Sequence, residues 1–337
     1  MGLPPDQILG EKVGPEDRLI LTLRLSDGQA VPCLVDTGTS ITTFDRSLRG
    51  LLGRRLRTER VWSLSALGSE RAGVYAAPKL YLGDVPLVTG PAVLAGHDIW
   101  NTNDPQPHKI ILGMDCLSHY CIQLDFEEHR MRFLDSNTLN REELGFAFPL
   151  IVTGDVVGVP LVEMQWAANG TMRFMVDTAF PYSDITLPPA LLRPAVQSHA
   201  AIGTDVCLTF TSDTANQVFR FPTAALGSET YRDLLTAELK VKGHFDGFLG
   251  LPFLTRHKVT FDFPNRTMYL KPLHAEPGKD TQSLGTPESD PNKRDETNHR
   301  LVPPLEAGWE FESISCALPS MSAVAHPGHQ ALPHSNE

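Results

Sequence analysis

The chain is poor in the features that mark disulfide scaffolds, zinc sites and membrane proteins. Its 337 residues include five cysteines, an odd number without a C-x-x-C pair, so neither a disulfide framework nor a zinc site is expected. We interpret them as buried thiols, with a Cys116–Cys121 bridge as the alternative. No apolar run is long enough to span a bilayer, and the start, MGLPPDQILGEK, lacks the basic and apolar regions of a signal peptide. We expect no membrane span, with a cytoplasmic address if the sequence is complete and export if a leader was removed.

Basic residues are also few compared with acidic residues. The 29 lysines and arginines are outnumbered by 40 acidic residues, and the formal net charge of −11 makes nucleic acid an unlikely partner by charge alone. With 41% hydrophobic and 20% charged residues, the chain can nevertheless bury two cores of ordinary size. We therefore expect a folded protein over most of its length.

Two stretches of the chain are similar to two later stretches. The segment GMDCLSHYCIQLDFEEHRMRFL begins at Gly113, and its counterpart GLPFLTRHKVTFDFPNRTMYL begins at Gly250, an offset of 137 residues. Upstream, LILTLRLSDGQAVPCLVDTG at 19–38 is similar to LVEMQWAANGTMRFMVDTA at 161–179, with an offset of 141 residues between their aspartates. A repeat of this length predicts a duplicated structural unit.

Each unit has the pattern of an all-β fold, because turn signals recur between short runs of β-branched and aromatic residues. Asp27-Gly28 and Asn169-Gly170 are strong hairpin signals, since glycine accepts the backbone of a tight turn. We predict two tandem β lobes related by an approximate twofold axis. The predicted divisions are an N-terminal segment at 1–16, a first lobe at 17–145, a second lobe at 146–272 and a tail at 273–337.

Helix is expected at only three places. Asp115–Tyr120 has Asp115 as a candidate N-cap, and Leu251–His257 has Pro252 in its first turn. The segment Ser228–Leu239 carries leucines at helical spacing behind a possible serine cap.

The C-terminal tail differs in composition from the two units. Residues 271–337 hold 9 of the 27 prolines, together with polar runs that bury little apolar surface, and this predicts disorder. A short apolar patch at Trp309, Phe311 and Ile314 is either part of this solvated tail or a docking segment.

The residues that point to chemistry are Asp36 and Asp177, each of which directly follows an apolar strand. A single aspartate at a strand end is usually a turn cap, but burying two at equivalent places is costly without a function. If the two lobes face each other, the carboxyls come close together and share one proton. One carboxylate can then deprotonate water while the other polarises a carbonyl, which is general acid–base hydrolysis.

The sequence resembles the retropepsin-like and pepsin-like aspartic proteases. The resemblance is carried by V-D-T-G-T-S at 35–40 with I-I-L-G-M-D-C-L at 110–117, and by V-D-T-A-F at 176–180 with F-L-G-L-P-F-L at 248–254. It covers about residues 17–272 and implies two acid-protease-like β-barrel lobes. It also implies an aspartic endopeptidase that acts on peptide or protein substrates without cofactor or metal. Since one chain carries both aspartates, a monomer is expected.

The resemblance assigns a role to the central residues of each motif. Asp36 and Asp177 match the two catalytic aspartates. Thr37 and Thr178 match the threonines whose hydroxyls cross between the lobes and lock the two catalytic loops together. The other supporting positions are Gly38, with an amide aimed at the carboxylate, Thr39, with a hydroxyl that bonds the first aspartate, and the strand-end glycines Gly113 and Gly250.

The second unit departs from the family pattern at two positions. Ala179 replaces a glycine, and a Cβ there costs roughly 1 kcal/mol or more if the backbone has positive φ. Phe180 supplies no hydroxyl. The alternative function is therefore a pseudoprotease that binds peptides in the cleft, and an enzyme of another class or a structural double barrel is a third reading. Flap hairpins over the cleft are expected near Gly68-Ser69-Glu70 and at Thr211–Asn216.

Overall fold

The computed structural model describes residues 2–9, 18–63, 68–95, 108–152, 158–165, 170–197, 202–211, 214–226, 229–239 and 245–273. Apart from Leu273, the predicted tail lies outside these residues, and so do its apolar patch and Asn169. In the described part of the chain, no helix has the length and apolar character needed to cross a membrane.

The protein is mostly β-sheet, which confirms the predicted all-β class. The strands of the N-terminal half are β1 (Gln7–Ile8), β2 (Ile20–Leu25), β3 (Ala30–Val35), β4 (Thr43–Phe44), β5 (Arg55–Ser63), β6 (Gly68–Ala76), β7 (Leu80–Leu82), β8 (Val85–Pro86), β9 (Ala92–Ala95), β10 (Ile110–Leu112), β11 (Cys121–Asp125) and β12 (Arg130–Leu134). Those of the C-terminal half are β13 (Phe146–Pro149), β14 (Ile151–Val152), β15 (Pro160–Gln165), β16 (Thr171–Val176), β17 (Ile185–Leu187), β18 (Ile202–Thr211), β19 (Thr214–Leu226), β20 (Glu229–Glu238), β21 (Gly247–Leu249), β22 (His257–Asp262) and β23 (Thr267–Pro272).

Two large sheets carry the two halves. The first has nine strands in the order β5-β6-β9-β4-β10-β3-β2-β7-β8, and the second has eight in the order β14-β15-β16-β21-β17-β20-β19-β18. Both predicted hairpins form: β2 pairs with β3 and β15 pairs with β16, each antiparallel. Gly28 in the first turn has φ of 90° and Gly170 in the second has φ of 79°, which a residue with a Cβ rarely adopts.

The expected closed barrels are not found in the described part of the chain. The nine-stranded sheet ends at β5 on one side and β8 on the other. In the eight-stranded sheet, β15 and β19, the second strand from each end, also pair with each other at Gln165 and Ala225. A barrel requires a continuous ladder between first and last strands, and a single residue pair does not provide one.

A third sheet of six strands joins the two halves. Its order is β1-β12-β11-β22-β23-β13, so three strands come from each half. At its centre β11 and β22 are antiparallel, and Gln123 lies opposite Thr260 and donates a 3.0 Å side-chain hydrogen bond to it. Lys258 also pairs with the fully buried Asp125 at 2.5 Å. This sheet holds the two large sheets in one body.

The helices are few and short. They are α1 (Met114–Leu117), α2 (Pro189–Gln197) and α3 (Leu251–Leu254), with 3-10 turns at Arg46–Leu51 and Arg141–Glu143. The sequence placed α1 at 115–120 with Asp115 as its cap, but the cap position is Gly113 and the Asp115 carboxylate instead bonds Thr42. Helix α3 is shorter than expected because His257 already belongs to β22, and α2 was not predicted.

The prediction of a helix over Ser228–Leu239 was wrong, because residues 229–238 form strand β20. This strand pairs with β19 on one side and β17 on the other. Asp233 has φ of 60° and forms no ladder pair, but the register of β19 and β20 is the same on both sides of it, and Tyr231 and Leu234 are both buried. Two buried side chains three residues apart give this strand the apolar spacing that the sequence analysis interpreted as helical.

The structure describes the side chains of three of the five cysteines, and all three are buried. Cys33, Cys116 and Cys121 are free and buried, which confirms their interpretation as small apolar side chains and excludes the Cys116–Cys121 bridge. Burial raises the pKa of Cys121 to about 12, so this thiol is not a reactive nucleophile.

Candidate active site

The two aspartates occupy matching turns at the ends of parallel-paired strands. Strand β3 is parallel to β10 and leads into Asp36, whose N–H donates to Leu112 O at 3.1 Å. Strand β16 is parallel to β21 and leads into Asp177, whose N–H donates to Leu249 O at 3.0 Å. Each carboxyl is therefore presented by a turn held at the centre of a sheet.

The turns are joined by four reciprocal hydrogen bonds through Thr37 and Thr178. The Thr37 hydroxyl donates to Val176 O at 2.6 Å and accepts from Thr178 N at 3.1 Å. The Thr178 hydroxyl donates to Val35 O at 2.8 Å and accepts from Thr37 N at 3.1 Å. Both threonines are fully buried. Buried hydroxyls with all partners satisfied fix the position of one turn against the other.

The carboxyls of Asp36 and Asp177 contact each other but have different neighbours. They lie close enough for each carboxyl to alter the pKa of the other. Asp36 accepts from Gly38 N at 2.7 Å and from the Thr39 hydroxyl at 2.6 Å. Asp177 accepts from Ala179 N at 2.8 Å. The first carboxylate thus has one more hydroxyl donor, and this difference makes the pair chemically unequal.

The replacement of glycine by Ala179 does not distort the second turn. Neither Gly38 nor Ala179 is among the described residues with positive φ, so this turn position does not require glycine for its backbone conformation. The Ala179 amide still faces its carboxylate. In the first turn, glycine is needed because of the space around it: a Cβ on Gly38 would lie 2.6 Å from Asp177 Cγ.

Burial makes both carboxyls hold protons more tightly. Asp36 is 8% exposed and Asp177 is 7% exposed. Burial raises the pKa of Asp36, although the hydrogen bonds from Thr39 and Gly38 oppose this. Burial, and next the negative charge of Asp36, raise the pKa of Asp177 well above its usual range. The pKa of Asp177 is therefore raised further than that of Asp36, which favours a proton on Asp177 when the pair shares one.

The strand-end glycines allow close backbone approach behind each turn. A Cβ on Gly113 would lie 2.8 Å from Thr39 O, and one on Gly250 would collide with Ser183 O. The amide that follows Gly113 donates to Thr39 O at 2.8 Å, and Leu251 N donates to Phe180 O at 2.8 Å. No larger residue fits at either position without moving the loop that carries the aspartate.

Comparison with known proteins agrees with this geometry in the N-terminal half. Residues 21–116 match the family model described as aspartyl protease. This segment of the chain is similar to aspartyl proteases, and we call residues 21–116 the aspartyl protease segment for that reason. The matched residues run from strand β2 to helix α1 and include Asp36, Thr37, Gly38, Thr39 and Gly113. A comparison with curated proteins finds no match for the chain.

The aspartyl protease segment contains a buried acid that the sequence analysis assigned only as a helix cap. Asp115 Oδ1 accepts from Thr42 N at 2.7 Å and from the Thr42 hydroxyl at 2.6 Å. Asp115 N also donates to Ser40 O at 3.1 Å. Burial raises the pKa of Asp115. This residue anchors the loop that carries Thr39, and its place two residues after Gly113 is the sequence signal that could have shown it.

The C-terminal half anchors its corresponding loop with a different acid. Asp184 O accepts from Gly250 N at 2.8 Å, and the Asp184 carboxylate accepts from Leu235 N at 2.7 Å. Arg256 pairs with the same carboxylate at 2.6 Å. Pro252 stands where the aspartyl protease segment has Asp115, so the acid comes from the loop instead of the helix. Nothing in the spacing of the motifs indicated Asp184.

The two flap candidates are long hairpins whose tips lie outside the described residues. Strands β5 and β6 form one hairpin, around residues 64–67, and β18 and β19 form the other, around 212–213. Flap roles for these segments stay predictions.

In the described ranges, no three His, Cys, Asp or Glu side chains group in a way that could hold a metal ion.

Proposed function

We propose that the protein is an aspartic endopeptidase that hydrolyses peptide bonds with a water activated between Asp36 and Asp177. The observation that carries the proposal is the buried, hydrogen-bonded and chemically unequal carboxyl pair. Asp36 has the donors that stabilise a carboxylate, and Asp177 has the surroundings that retain a proton. These are the two protonation states that general base and general acid require.

In the proposed reaction each carboxyl moves one proton. Asp36 accepts a proton from water as the water oxygen attacks the peptide carbonyl carbon. Asp177 donates its proton to the carbonyl oxygen, which gives a neutral tetrahedral intermediate. As the C–N bond breaks, Asp36 returns its proton to the leaving nitrogen, and Asp177 recovers its own from the collapsing hydroxyl. The pair then stands as it began, without a covalent intermediate.

A pseudoprotease that binds peptides without cleaving them is the alternative that the sequence left open because of Ala179. The Ala179 amide donates to Asp177 at 2.8 Å and the turn has no positive φ, which supports catalysis.

We also propose that residues 17–145 and 146–272 act as two duplicated lobes that complete one site within a monomer. Strand pairing at equivalent positions, Cys33 with Ile110 and Phe174 with Gly247, supports this division.

The experiment that tests the proposal is cleavage of a diverse peptide library between acidic and neutral pH. We expect wild type to cleave, and Asp36→Asn and Asp177→Asn each to lose at least about 10³-fold in kcat, because neither carboxyl can be both base and acid. Ala179→Gly is the matched control and should cleave as wild type does.

Three results would contradict parts of this proposal. An inert wild type with an active Ala179→Gly variant would establish the pseudoprotease. Cleavage that persists in both Asn variants would exclude the aspartic mechanism. Loss in Asp36→Asn alone would show that the second turn has no catalytic role.

A further inference from the structure

Exposed arginines are close together in one part of the chain, although the chain is acidic overall. Six arginines occur between residues 46 and 60, in a protein with a net charge of −11. Five of them lie in the first 3-10 turn or in strand β5, Arg54 lies between these two elements, and Arg71 follows on β6. Arg49, Arg55, Arg60 and Arg71 share one side of the β5–β6 hairpin, and we call these four the arginine face.

Strand register defines the arginine face. Arg60 lies opposite Arg71, and Arg55 lies opposite Tyr75. The Arg55 guanidinium donates to the Thr58 hydroxyl at 2.6 Å, and Arg49 lies over the Tyr75 ring at 5.7 Å. These contacts hold the guanidinium groups on one side of the hairpin while all four arginines remain exposed.

The other side of the hairpin contains the compensating acid. The register shift between Arg55 and Arg57 turns Arg57 to this side, where it pairs with Glu59 at 2.5 Å. The partners of Arg57 and Glu59 on β6 are Val74 and Ala72, which are buried. Alternation of side chains along a strand therefore separates Glu59 from the arginine face.

The pairing of Arg60 with Arg71 is unfavourable for the isolated protein. Like charges directly opposite each other on neighbouring strands destabilise a sheet. Neither arginine has an ion pair with another residue that the structure describes. A bound anion between them would remove the repulsion, so this pair indicates a binding role more than a structural one.

We propose that the arginine face is a docking site for an extended acidic segment of a protein partner. Strand β5 is the end of its sheet and pairs only with β6 among the described residues, so its outer edge can accept another strand. Exposed Leu51 and Leu56 lie beside the arginines and suit a polypeptide with interspersed apolar side chains. The net charge of −11 disfavours a long polyanion such as nucleic acid. This docking role goes beyond catalysis and does not require it.

The test is fluorescence anisotropy with a labelled peptide of alternating Glu and Ser, using the full chain and its Asp36→Asn variant. We expect both proteins to bind the probe, and Arg60→Ala/Arg71→Ala to raise Kd about tenfold at low salt because two charge-assisted contacts are lost. Added salt should weaken binding of the unchanged face. The matched control, Arg130→Ala/Arg232→Ala, removes two exposed arginines elsewhere and should leave Kd unchanged.

Several outcomes would overturn the proposal. These are an unaltered Kd in Arg60→Ala/Arg71→Ala, no binding by the unsubstituted chain, or equal loss in the control. Tighter binding of an oligothymidylate than of the acidic peptide would assign the face to nucleic acid instead. Thermal unfolding separates a structural role: we expect the Tm of Arg60→Ala/Arg71→Ala to be equal to or above that of wild type, and a lower Tm would also contradict docking.

Discussion

At the scale of single residues, the candidate site depends on a difference between two chemically identical side chains. Thr39 gives Asp36 a hydroxyl donor at 2.6 Å, whereas the equivalent Phe180 packs its ring against Phe248 at 5.3 Å. Hydrogen bonds to a carboxylate favour its ionised form, and an apolar neighbour favours the protonated form. The Thr39 hydroxyl thus opposes the effect of burial on the pKa of Asp36, and Phe180 offers Asp177 no such hydroxyl.

This difference predicts how stability depends on pH. Because the pKa of Asp177 is raised in the folded protein, its stabilising contribution is complete below the unfolded pKa of about 3.9 and is lost as pH rises through the folded pKa. Asp177→Asn carries no charge at any pH. We therefore expect its Tm to exceed that of wild type by about 2 °C or more at pH 7, with no such gain at pH 3.

Calorimetry at the two pH values measures this effect. Asp84→Asn is a suitable control, because the Asp84 carboxyl is fully exposed and its substitution should change Tm little at either pH. A lower Tm for Asp177→Asn than for wild type at pH 7 would show that Asp177 is not held protonated.

At the scale of elements, the two turns contact each other directly through their threonines. Thr37 and Thr178 each use the hydroxyl both as donor and as acceptor, and each reaches the backbone of the opposite turn. The strands behind them are fixed by their own parallel ladders. The relative position of the carboxyls therefore depends on four hydrogen bonds that lie outside either ladder.

Replacing Thr178 tests this lock. Thr178→Val keeps the shape but leaves Thr37 N and Val35 O without their partners, which we expect to cost about 2–4 kcal/mol of unfolding free energy. Cleavage should fall at least about tenfold, because the two carboxyls lose their fixed separation.

Thr178→Ser is the matched variant, since it keeps the hydroxyl, and it should retain most of the activity and stability. Denaturant unfolding and kcat measure the two effects. Equal behaviour of the Val and Ser variants would show that the hydroxyl does not hold the turns together.

At the scale of the whole molecule, the six-stranded sheet makes the two halves continuous. Strands β11 and β22 pair across the junction, and β1 and β13 occupy the two ends of the sheet. The Asp125–Lys258 pair adds a contact that is buried at the carboxylate, and Lys258 keeps the pKa of Asp125 low although burial alone would raise it. One chain therefore supplies the whole support for both turns.

Because one chain carries both aspartates, we predict that a single chain is active without forming a dimer. Specific activity should stay constant on dilution, because both carboxyls belong to one chain. Light scattering at the same concentrations should give the mass of a single chain. Activity per chain that decreases on dilution, together with a change in mass, would show that two copies are needed.

Much of this arrangement could be predicted from sequence because it is local. The hairpin turns at Gly28 and Gly170 depend on backbone conformations that few other residues adopt. The repeated Asp motif and the later glycines marked the two turns, since burying a carboxyl twice is costly without a purpose.

Other features were decided only by contacts distant in sequence. Strand β20 resembles a helix locally, and its pairing with β19 and β17 overrides that preference. The effect of Ala179 also could not be read from its identity, because it depends on the backbone dihedrals of the turn and on the position of its amide.

The division between sequence and tertiary structure follows from the range of the forces. By itself the sequence determined the strand class, the hairpins and the two aspartates, which follow from backbone preferences and the cost of burying charge. Only the tertiary structure decided that burial and the charge of Asp36 raise the pKa of Asp177 well above its usual range, that Asp115 and Asp184 anchor the loops, and that Arg60 faces Arg71. Each of these depends on which side chains meet across sheets, and desolvation and hydrogen bonding act only once that packing is complete.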